Sequence, residues 1–375
     1  LLAYMMVLSS FSGMAVAAKE DPAATTSYTS EVQKYEKARA TEENTATVQD
    51  SGELKAAIDN SEVTKIILGE SIDLTATEDE DDQQTRSIDA DGNITIGREL
   101  TLDLAGYTLT VNHLDIADGG DLTLKDSNET GTITSADKDY TIQVLAGGVL
   151  TINGGTYTNT SKEKILNNKD QWVTNQVETI INRGSLTVTD GTIEATTNEV
   201  YGVGIYIQPT KGDDDSTVSC IIEGGTIKSN CYGVAIFGRG IDENGEYNNN
   251  DVTLNMSGGK IEIVGDNGGQ GIATNASNGI YAGFTINLSG NAKITADVND
   301  GCAMYLPGPG VTNISDSVEI FGKLQGIRIA AGVLNIEGGT IQNSNNRVDD
   351  ADLVSGGSGG TAGAVPRQVI RFLND

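Results

Sequence analysis

Three aromatic rings, an amide and an arginine are the side chains of this sequence best suited to contact a ligand. They belong to, or directly follow, short segments with alternating apolar residues: GVGIYI at 202–207, GVAIF at 233–237, GIAT at 271–274, GCAMYL at 301–306 and GIRIA at 326–330. Successive side chains of an extended segment point to opposite faces, and the predicted outward set is Tyr206, Phe237, Asn275, Tyr305 and Arg328. Because exposed aromatic rings stack on the C–H faces of sugars, this set predicts a glycan-binding strip. The alternative is a cross-strand ladder that only stabilises the sheet.

Acidic loops are the second group of residues that could hold a ligand. They are EDEDD at 78–82, DADGN at 89–93, DDD at 213–215 and DENG at 242–245. Clustered carboxylates can bind Ca²⁺, but none of these loops has the alternating ligands and the glutamate at position twelve that an EF-hand requires. Solvated turns between strands are the simpler interpretation. We therefore predict no metal site and no cofactor, with calcium at these loops as the alternative.

Composition and charge exclude several function classes. The 375 residues include 24 Lys and Arg against 53 Asp and Glu, a net charge of −29. Such a field repels phosphate backbones, so nucleic acid is not an expected partner. One His and three Cys do not suffice for a His-pair zinc centre or a disulfide framework. With 46 Gly and 5% aromatic residues, a thin core repeated lengthwise suits the chain better than one thick core.

The two ends of the chain differ in composition from the middle. The apolar run LLAYMMVLSSFSGMAVAA at 1–18 is interpreted as a truncated signal peptide. Residues 19–50 are polar and predict a stalk or a disordered segment, residues 51–352 are the predicted folded domain, and residues 353–375 are interpreted as a Gly/Ser-rich linker with an apparent truncated end. Export predicts an extracellular or cell-surface location, with no membrane insertion after signal removal. We expect a monomer.

A repeat runs through the middle of the chain. Five clear copies are GVLTINGGTY at 148–157, GSLTVTDGTI at 184–193, SCIIEGGTI at 219–227, TLNMSGGKI at 253–261 and GVLNIEGGTI at 332–341, and four weaker copies bring the total to nine. Each period of about 21 to 36 residues holds about three short strands, which is the length of one coil of a parallel β-helix and falls in the solenoid range. The sequence thus predicts an all-β solenoid of about nine coils with three strands per coil. A short amphipathic helix at 53–60 is predicted to cap its N-terminal end, and a helix is also expected within 161–178.

The strings ELKAAI, KIILGESIDL and LTLDLAGYTLTV, followed by G-x-LTI-x-GGTI repeats, resemble the right-handed parallel β-helix proteins of the pectate-lyase-like superfamily. In particular, the chain is similar to exported surface proteins of gut-type Gram-positive bacteria. The resemblance covers about residues 51–341 and implies a right-handed coil. It says little about function, since the superfamily includes lyases, hydrolases, adhesins and spacers.

Catalytic motifs of the resembled enzymes are absent. The chain has neither the N-T-D nor the G-H-G of polygalacturonase-like members, and Arg328-Ile329 is followed by Ala330 where their R-I-K motif has Lys. No catalytic residue is therefore predicted. The leading hypothesis is a non-enzymatic, adhesin-like or glycan-binding surface rod whose partner is an extracellular polysaccharide or host glycan. A polysaccharide lyase or glycoside hydrolase with a diverged site is the first alternative, and an inert spacer is the second.

Overall fold

A computed structural model of the protein describes residues 44–75, 87–166, 172–174, 176–197, 199–209, 217–237, 251–265, 268–274, 283–308, 310–344, 354–356 and 369–372. The signal-like residues 1–18, the acidic loops at 78–82, 213–215 and 242–245, and Asn275 lie outside these ranges. The strands described here belong to one compact unit, Thr45–Asp375. They are arranged in three long columns of parallel strands, which we call faces 1, 2 and 3.

Face 1 carries the first strand of each repeat. Its strands are β1 (Thr45–Val48), β2 (Lys65–Leu68), β5 (Glu99–Asp103), β8 (Asp121–Lys125), the first halves of β11 (Val149–Asn159) and β15 (Ser185–Ala195), β17 (Val218–Ile222), β20 (Val252–Met256), β23 (Phe284–Leu288), β26 (Val311–Ile314), β29 (Val333–Ile336) and β32 (Val369–Phe372). Branched apolar residues alternate along these strands with polar ones. This period of two buries one side of each strand and leaves the other side to solvent.

Face 2 follows face 1 after a bend that contains glycine in nine of the ten coils. Its strands are β3 (Ile72–Asp73), β6 (Thr108–Thr110), β9 (Thr132–Ser135), the second halves of β11 and β15, β18 (Thr226–Ser229), β21 (Lys260–Ile263), β24 (Lys293–Ala296), β27 (Glu319–Gly322) and β30 (Thr340–Asn343).

Face 3 completes each coil. Its strands are β4 (Ile94–Ile96), β7 (Leu114–Ile116), β10 (Tyr140–Val144), β14 (Gln176–Asn182), β16 (Tyr201–Ile207), β19 (Tyr232–Ile236), β22 (Gly269–Thr274), β25 (Gly301–Leu306), β28 (Gln325–Ile329) and β31 (Val354–Gly356). The described residues thus form ten complete coils. A parallel β-helix is confirmed, whereas its right-handedness stays a prediction.

The register confirms the repeat. The last apolar residue of all nine copies lies in one row of face 2: Leu109, Ile133, Tyr157, Ile193, Ile227, Ile261, Ile294, Ile320 and Ile341. Ile72 precedes Leu109 in the same row, which gives one coil more than the nine predicted. Its strand β3 has only two residues, too short to be recognised by its alternation.

The core is a continuous internal column. Tyr157, Leu150, Ile152 and Ile227 are fully or almost fully buried, and one cluster contains apolar residues from all ten coils. Ile336 and Ile341 are only partly buried. No described strand of face 2 follows β30, so Ile341 lacks the cover that every earlier coil receives from the next.

The N-terminal cap is the helix α1 (Ser51–Asp59), as the sequence predicts. Asp50, the residue before the helix, is its N-cap: the Asp50 carboxylate accepts the backbone N–H of Glu53 at 2.8 Å. Leu54, Ala57 and Ile58 are buried against the first coils. The helix therefore covers the end of the core, where exposed strand edges would promote aggregation.

Three segments differ from expectation. The helix expected within 161–178 is wrong: β12 (Lys164–Leu166) and β13 (Trp172–Thr174) pair as an antiparallel hairpin, and β14 begins at Gln176. β1 lies within the segment expected to be a stalk, and β31 and β32 lie within the expected linker, where each continues a face. Within the described ranges, no helix is both long and apolar enough to cross a membrane.

Candidate functional site

The predicted strip lies on face 3, where five strands place one outward residue each in a common row. The register of β16, β19, β22, β25 and β28 gives this row as Tyr206, Ala235, Ala273, Tyr305 and Arg328. Three of the five predicted residues, Tyr206, Tyr305 and Arg328, are therefore brought into line. We call this row the aromatic strip.

Phe237 does not occupy the row in which it was predicted. Tyr206 pairs with Ala235 and Ile207 pairs with Ile236, so Phe237 lies two residues beyond the strip row, where its N–H donates to the Ile207 carbonyl. The prediction aligned Val203 with Val234, but Val203 pairs with Tyr232 and Ile205 pairs with Val234. Phe237 still contacts Tyr206 diagonally, with ring centroids 4.9 Å apart and a 48° tilt. The two rings therefore form one aromatic end of the strip.

The middle of the strip is shallow. Ala235 and Ala273 are each 7% exposed and lie between the two tyrosines. At the far end the Arg328 guanidinium lies 5.3 Å from the centroid of the Tyr305 ring, within cation–π range. Three strand spacings of ~4.8 Å separate Tyr206 from Tyr305 along the rod, about 14 Å in all. Two aromatic ends thus bound a flat alanine floor.

Small residues explain the flatness of this part of face 3. Gly204, Gly233 and Gly271 occupy successive coils one position before the row that contains Ile205, Val234 and Ile272. A methyl group on Gly204 would lie 2.5 Å from the Ile227 Cγ2 atom and 2.7 Å from the Gly233 carbonyl oxygen. Only glycine therefore allows face 3 to approach the core of face 2 this closely.

Sequence reasoning missed two half-buried polar side chains that lie three residues before the strip along their strands. Tyr232 and Gln270 are in register with each other, and the buried Val203 and Cys302 flank them in the same row. The pKa of Tyr232 is raised, first by burial and then by the Cys231 thiol beside it. The pairing register, which sequence alternation alone does not give, was the signal needed to find them.

A separate polar cluster occupies the N-terminal part of face 3. The His113 and Tyr140 rings stack at 4.1 Å, His113 Nδ1 lies 3.0 Å from the Tyr140 carbonyl oxygen, and the Tyr140 hydroxyl donates to Asp115 at 3.2 Å. Burial raises the pKa of Asp115 and of Tyr140. His113 Nε2 also lies 3.5 Å from Asp137. Because the members are one another's partners, the cluster is organised to hold neighbouring coils together.

Glu178 lies one coil further along the same face, in register with Tyr140. Burial raises the pKa of its carboxyl to about 7, and the Asp139 carboxylate adds to this shift, whereas a hydrogen bond from the Gln176 amide at 2.8 Å opposes it. Glu178 therefore changes charge near neutral pH.

The one acidic loop that the structure describes is folded on itself. Asp89 Oδ1 accepts the N–H groups of Asp91 and Asn93, at 3.0 and 2.9 Å, and Asp89 Oδ2 accepts the Asn93 amide at 2.8 Å. The carboxylate thus serves as a turn-forming group. In the described ranges, His, Cys, Asp and Glu side chains nowhere gather in a group of three or more suited to a metal ion.

Arg328 was the residue most similar to a catalytic group of the resembled enzymes. Sequence alignment placed Ala303 beside it, but the register places Tyr305 there and Ala273 one coil further. A proton-abstracting arginine of the lyase type works beside carboxylates that hold calcium. The in-register neighbours of Arg328 on β22 and β25 are instead an alanine and an aromatic ring.

Comparison with known proteins supports the predicted resemblance. Residues 45–165, about a third of the chain, match the family described as "Putative pectate lyase-like adhesive domain". No curated protein and no solved structure gives a significant match. The matched part runs from β1 to the beginning of β12, so the aromatic strip lies C-terminal to it. The pectate-lyase-like resemblance is confirmed, and the family's description as adhesive points to a surface, adhesin-like protein.

Proposed function

We propose that this protein is a surface adhesin that binds a neutral, extended glycan along the aromatic strip of face 3, without catalysis. The observation that carries the proposal is the common row of Tyr206, Ala235, Ala273, Tyr305 and Arg328. An adhesive function is also how the family matched by residues 45–165 is described.

The dimensions of the strip favour a ligand that lies along the rod. Strands repeat every ~4.8 Å, and one sugar of an extended chain advances about the same distance. A glycan of about three sugars would therefore reach from Tyr206 to Tyr305 over the alanine floor. The half-buried Gln270 lies three residues before Ala273 on β22, about 10 Å from the strip. Its amide can donate hydrogen bonds to, and accept them from, the hydroxyls of a group that extends sideways from the glycan.

Charge and contact area set the kind of glycan and the affinity. A net charge of −29 disfavours acidic polysaccharides. The guanidinium cation of Arg328 is already in contact with the Tyr305 ring. Each half-buried aromatic ring of the strip should contribute on the order of 1 kcal/mol, so a single site should bind in the micromolar to millimolar range. Many copies on one surface would make such weak sites adhesive.

Two alternatives make different predictions. A diverged lyase or hydrolase would place carboxylates next to Arg328, whereas its neighbours in register are Tyr305 and Ser355. A pure spacer needs no ligand, and its outward aromatic residues would only stabilise neighbouring strands. Product formation would distinguish the enzyme hypothesis from the adhesin and spacer hypotheses. Glycan binding would distinguish the adhesin from the spacer.

The test is calorimetric titration of the full chain with neutral plant and mucin-type oligosaccharides, with reducing ends and unsaturated products followed in parallel. We expect weak binding, no product, and at least a tenfold loss of affinity in the Tyr206→Ala/Tyr305→Ala variant. Tyr107→Ala is the matched control, because Tyr107 is 38% exposed and belongs to the turn before β6. Unchanged binding by the double variant would reject the strip, and no binding by the parent would favour the spacer.

A further inference from the structure

Face 1 carries a long surface without charge. From β11 to β29, seven successive strands each present two outward residues, and all fourteen are half-exposed or exposed. They are Val149, Thr151, Ser185, Thr187, Ser219, Ile221, Thr253, Asn255, Thr285, Asn287, Val311, Asn313, Val333 and Asn335. We call this surface the neutral patch.

The neighbouring face shows that this neutrality is specific to face 1. Over the same seven coils, six of the fourteen equivalent outward positions of face 2 are charged: Glu194, Lys228, Lys260, Glu262, Lys293 and Glu319. On face 1 the charges lie at the borders. Asp121 and Lys125 are on β8, before the patch. Arg183 and Asp251 precede β15 and β20 on one side of the patch, and Glu223 and Glu337 follow β17 and β29 on the other side.

The C-terminal half of the patch is held rigid by an asparagine ladder. The side-chain amide of Asn287 donates to Asn255 at 2.8 Å, Asn313 donates to Asn287 at 2.7 Å, and Asn335 donates to Asn313 at 2.7 Å. A carboxamide has two N–H donors and an oxygen with two lone pairs, and each ladder bond uses one of each. The ladder fixes the amides in one orientation, so these side chains lose less conformational entropy when a partner binds them.

We propose that the neutral patch is a homophilic docking surface, on which a second copy of this chain lies face to face. This goes beyond glycan binding, because it uses a different face and a different partner. At a net charge of −29, two copies repel each other, and they can come into contact at the lowest electrostatic cost where the facing surfaces carry no charge. The neutral patch meets this condition over six strand spacings, about 29 Å.

The repeat also favours a second copy over other partners. Hydrogen-bonding groups on the patch recur at the strand spacing, and a second copy has the same spacing over the same number of strands. A twofold interface pairs the same patch on both molecules. Thr253, on the fourth of the seven strands, then lies near the symmetry axis and faces its own equivalent.

The size of the patch predicts a weak complex. Two columns of outward residues along about 29 Å cover roughly 400 Å² per molecule, or about 800 Å² in total, below the roughly 1,200–2,000 Å² of stable interfaces. The monomer expected from the sequence is thus the dilute state. Copies held side by side or on opposing surfaces would associate through many such contacts.

Sedimentation equilibrium of the full chain, from about 1 µM to about 1 mM, tests this proposal over the range of a weak dimer. We expect the parent to form dimers, and Thr253→Asp and Thr253→Lys each to weaken association at least tenfold. An equimolar mixture of these two variants should restore it, because opposite charges then meet at the axis. Thr226→Asp, on face 2, is the matched control and should associate like the parent.

A parent that stays monomeric over the whole range would overturn the proposal. So would Thr253 variants that associate like the parent, or a Thr226→Asp variant that loses association equally. Circular dichroism checks that each variant is folded. If Thr253→Asp does not fold, Val311→Asp and Val311→Lys replace the two single variants, because Val311 is 37% exposed and tolerates a charge more readily. Each should weaken association, but mixing them should not restore it, because Val311 lies two strands from the axis.

Discussion

At the scale of single residues, Glu178 makes the stability of the fold depend on pH. Its carboxyl has a pKa of about 7 instead of 4.5, chiefly because it is buried. The folded protein therefore binds a proton at Glu178 more tightly than the unfolded chain does. The stabilisation from this group is fully present below about pH 4.5 and is lost as the pH rises through about 7.

We expect that the Glu178→Gln variant does not show this fall in stability as the pH rises. Between about pH 5 and pH 8, the parent's free energy of unfolding should fall by up to about 3 kcal/mol more than that of the variant. Gln retains the acceptor oxygen for Gln176. Urea denaturation at both pH values measures the difference, and Glu62→Gln, at an exposed position, is the control. Parallel pH profiles for the parent and Glu178→Gln would contradict the prediction.

At the scale of elements, one arginine joins the cap to the solenoid. Arg98, just before β5, donates to the carbonyl oxygens of Ile58 at 3.0 Å, Asn60 at 3.1 Å and Val63 at 2.6 Å. These carbonyls lie at and after the C-terminal end of α1, where backbone acceptors lack helical partners and a cation is favourable.

Replacing Arg98 by Met should remove these bonds while keeping much of the side-chain volume. We expect a loss of about 2–3 kcal/mol in the free energy of unfolding, since several carbonyls lose a charged donor. Arg98→Lys should lose less stability than Arg98→Met, because an ammonium group can bond some of these carbonyls but cannot reach all of them. Urea denaturation measures the loss, with Lys125→Met, at an exposed position, as control. A loss below about 0.5 kcal/mol, the usual surface value, would show that the cap does not depend on Arg98.

Elements also show where sequence reasoning succeeds and fails. The inward rows were predicted because period-two alternation recurs in all nine copies and a Gly-containing bend recurs in eight of them. The position of Phe237 was predicted wrongly, because the segments of face 3 begin at different points of their strands. These segments share only a Gly and two apolar residues, which do not fix their register. The 161–178 insertion occurs once, so no second copy could show that it forms a hairpin.

At the scale of the whole molecule, the three faces carry different chemistry on one scaffold. Face 3 presents aromatic residues, face 1 presents the neutral patch, and face 2 presents ion pairs such as Lys260–Glu262 at 3.0 Å and Lys228–Glu194 at 3.5 Å. The period of the repeat predicted the solenoid. The division among faces required the register, because outward residues vary from coil to coil while inward ones do not.

This division makes the response to salt diagnostic of which face is used. Raising NaCl from about 20 mM to about 500 mM shortens the Debye length from roughly 20 Å to a few ångströms. Repulsion between copies with a net charge of −29 is then screened, so association through the neutral patch should strengthen by about tenfold or more. Glycan binding on the aromatic strip joins a neutral ligand to aromatic and amide groups and should change less than about twofold. Sedimentation and calorimetry on the same samples measure both. Association that weakens with salt would instead indicate contacts through ion pairs, as on face 2, and would contradict docking through face 1.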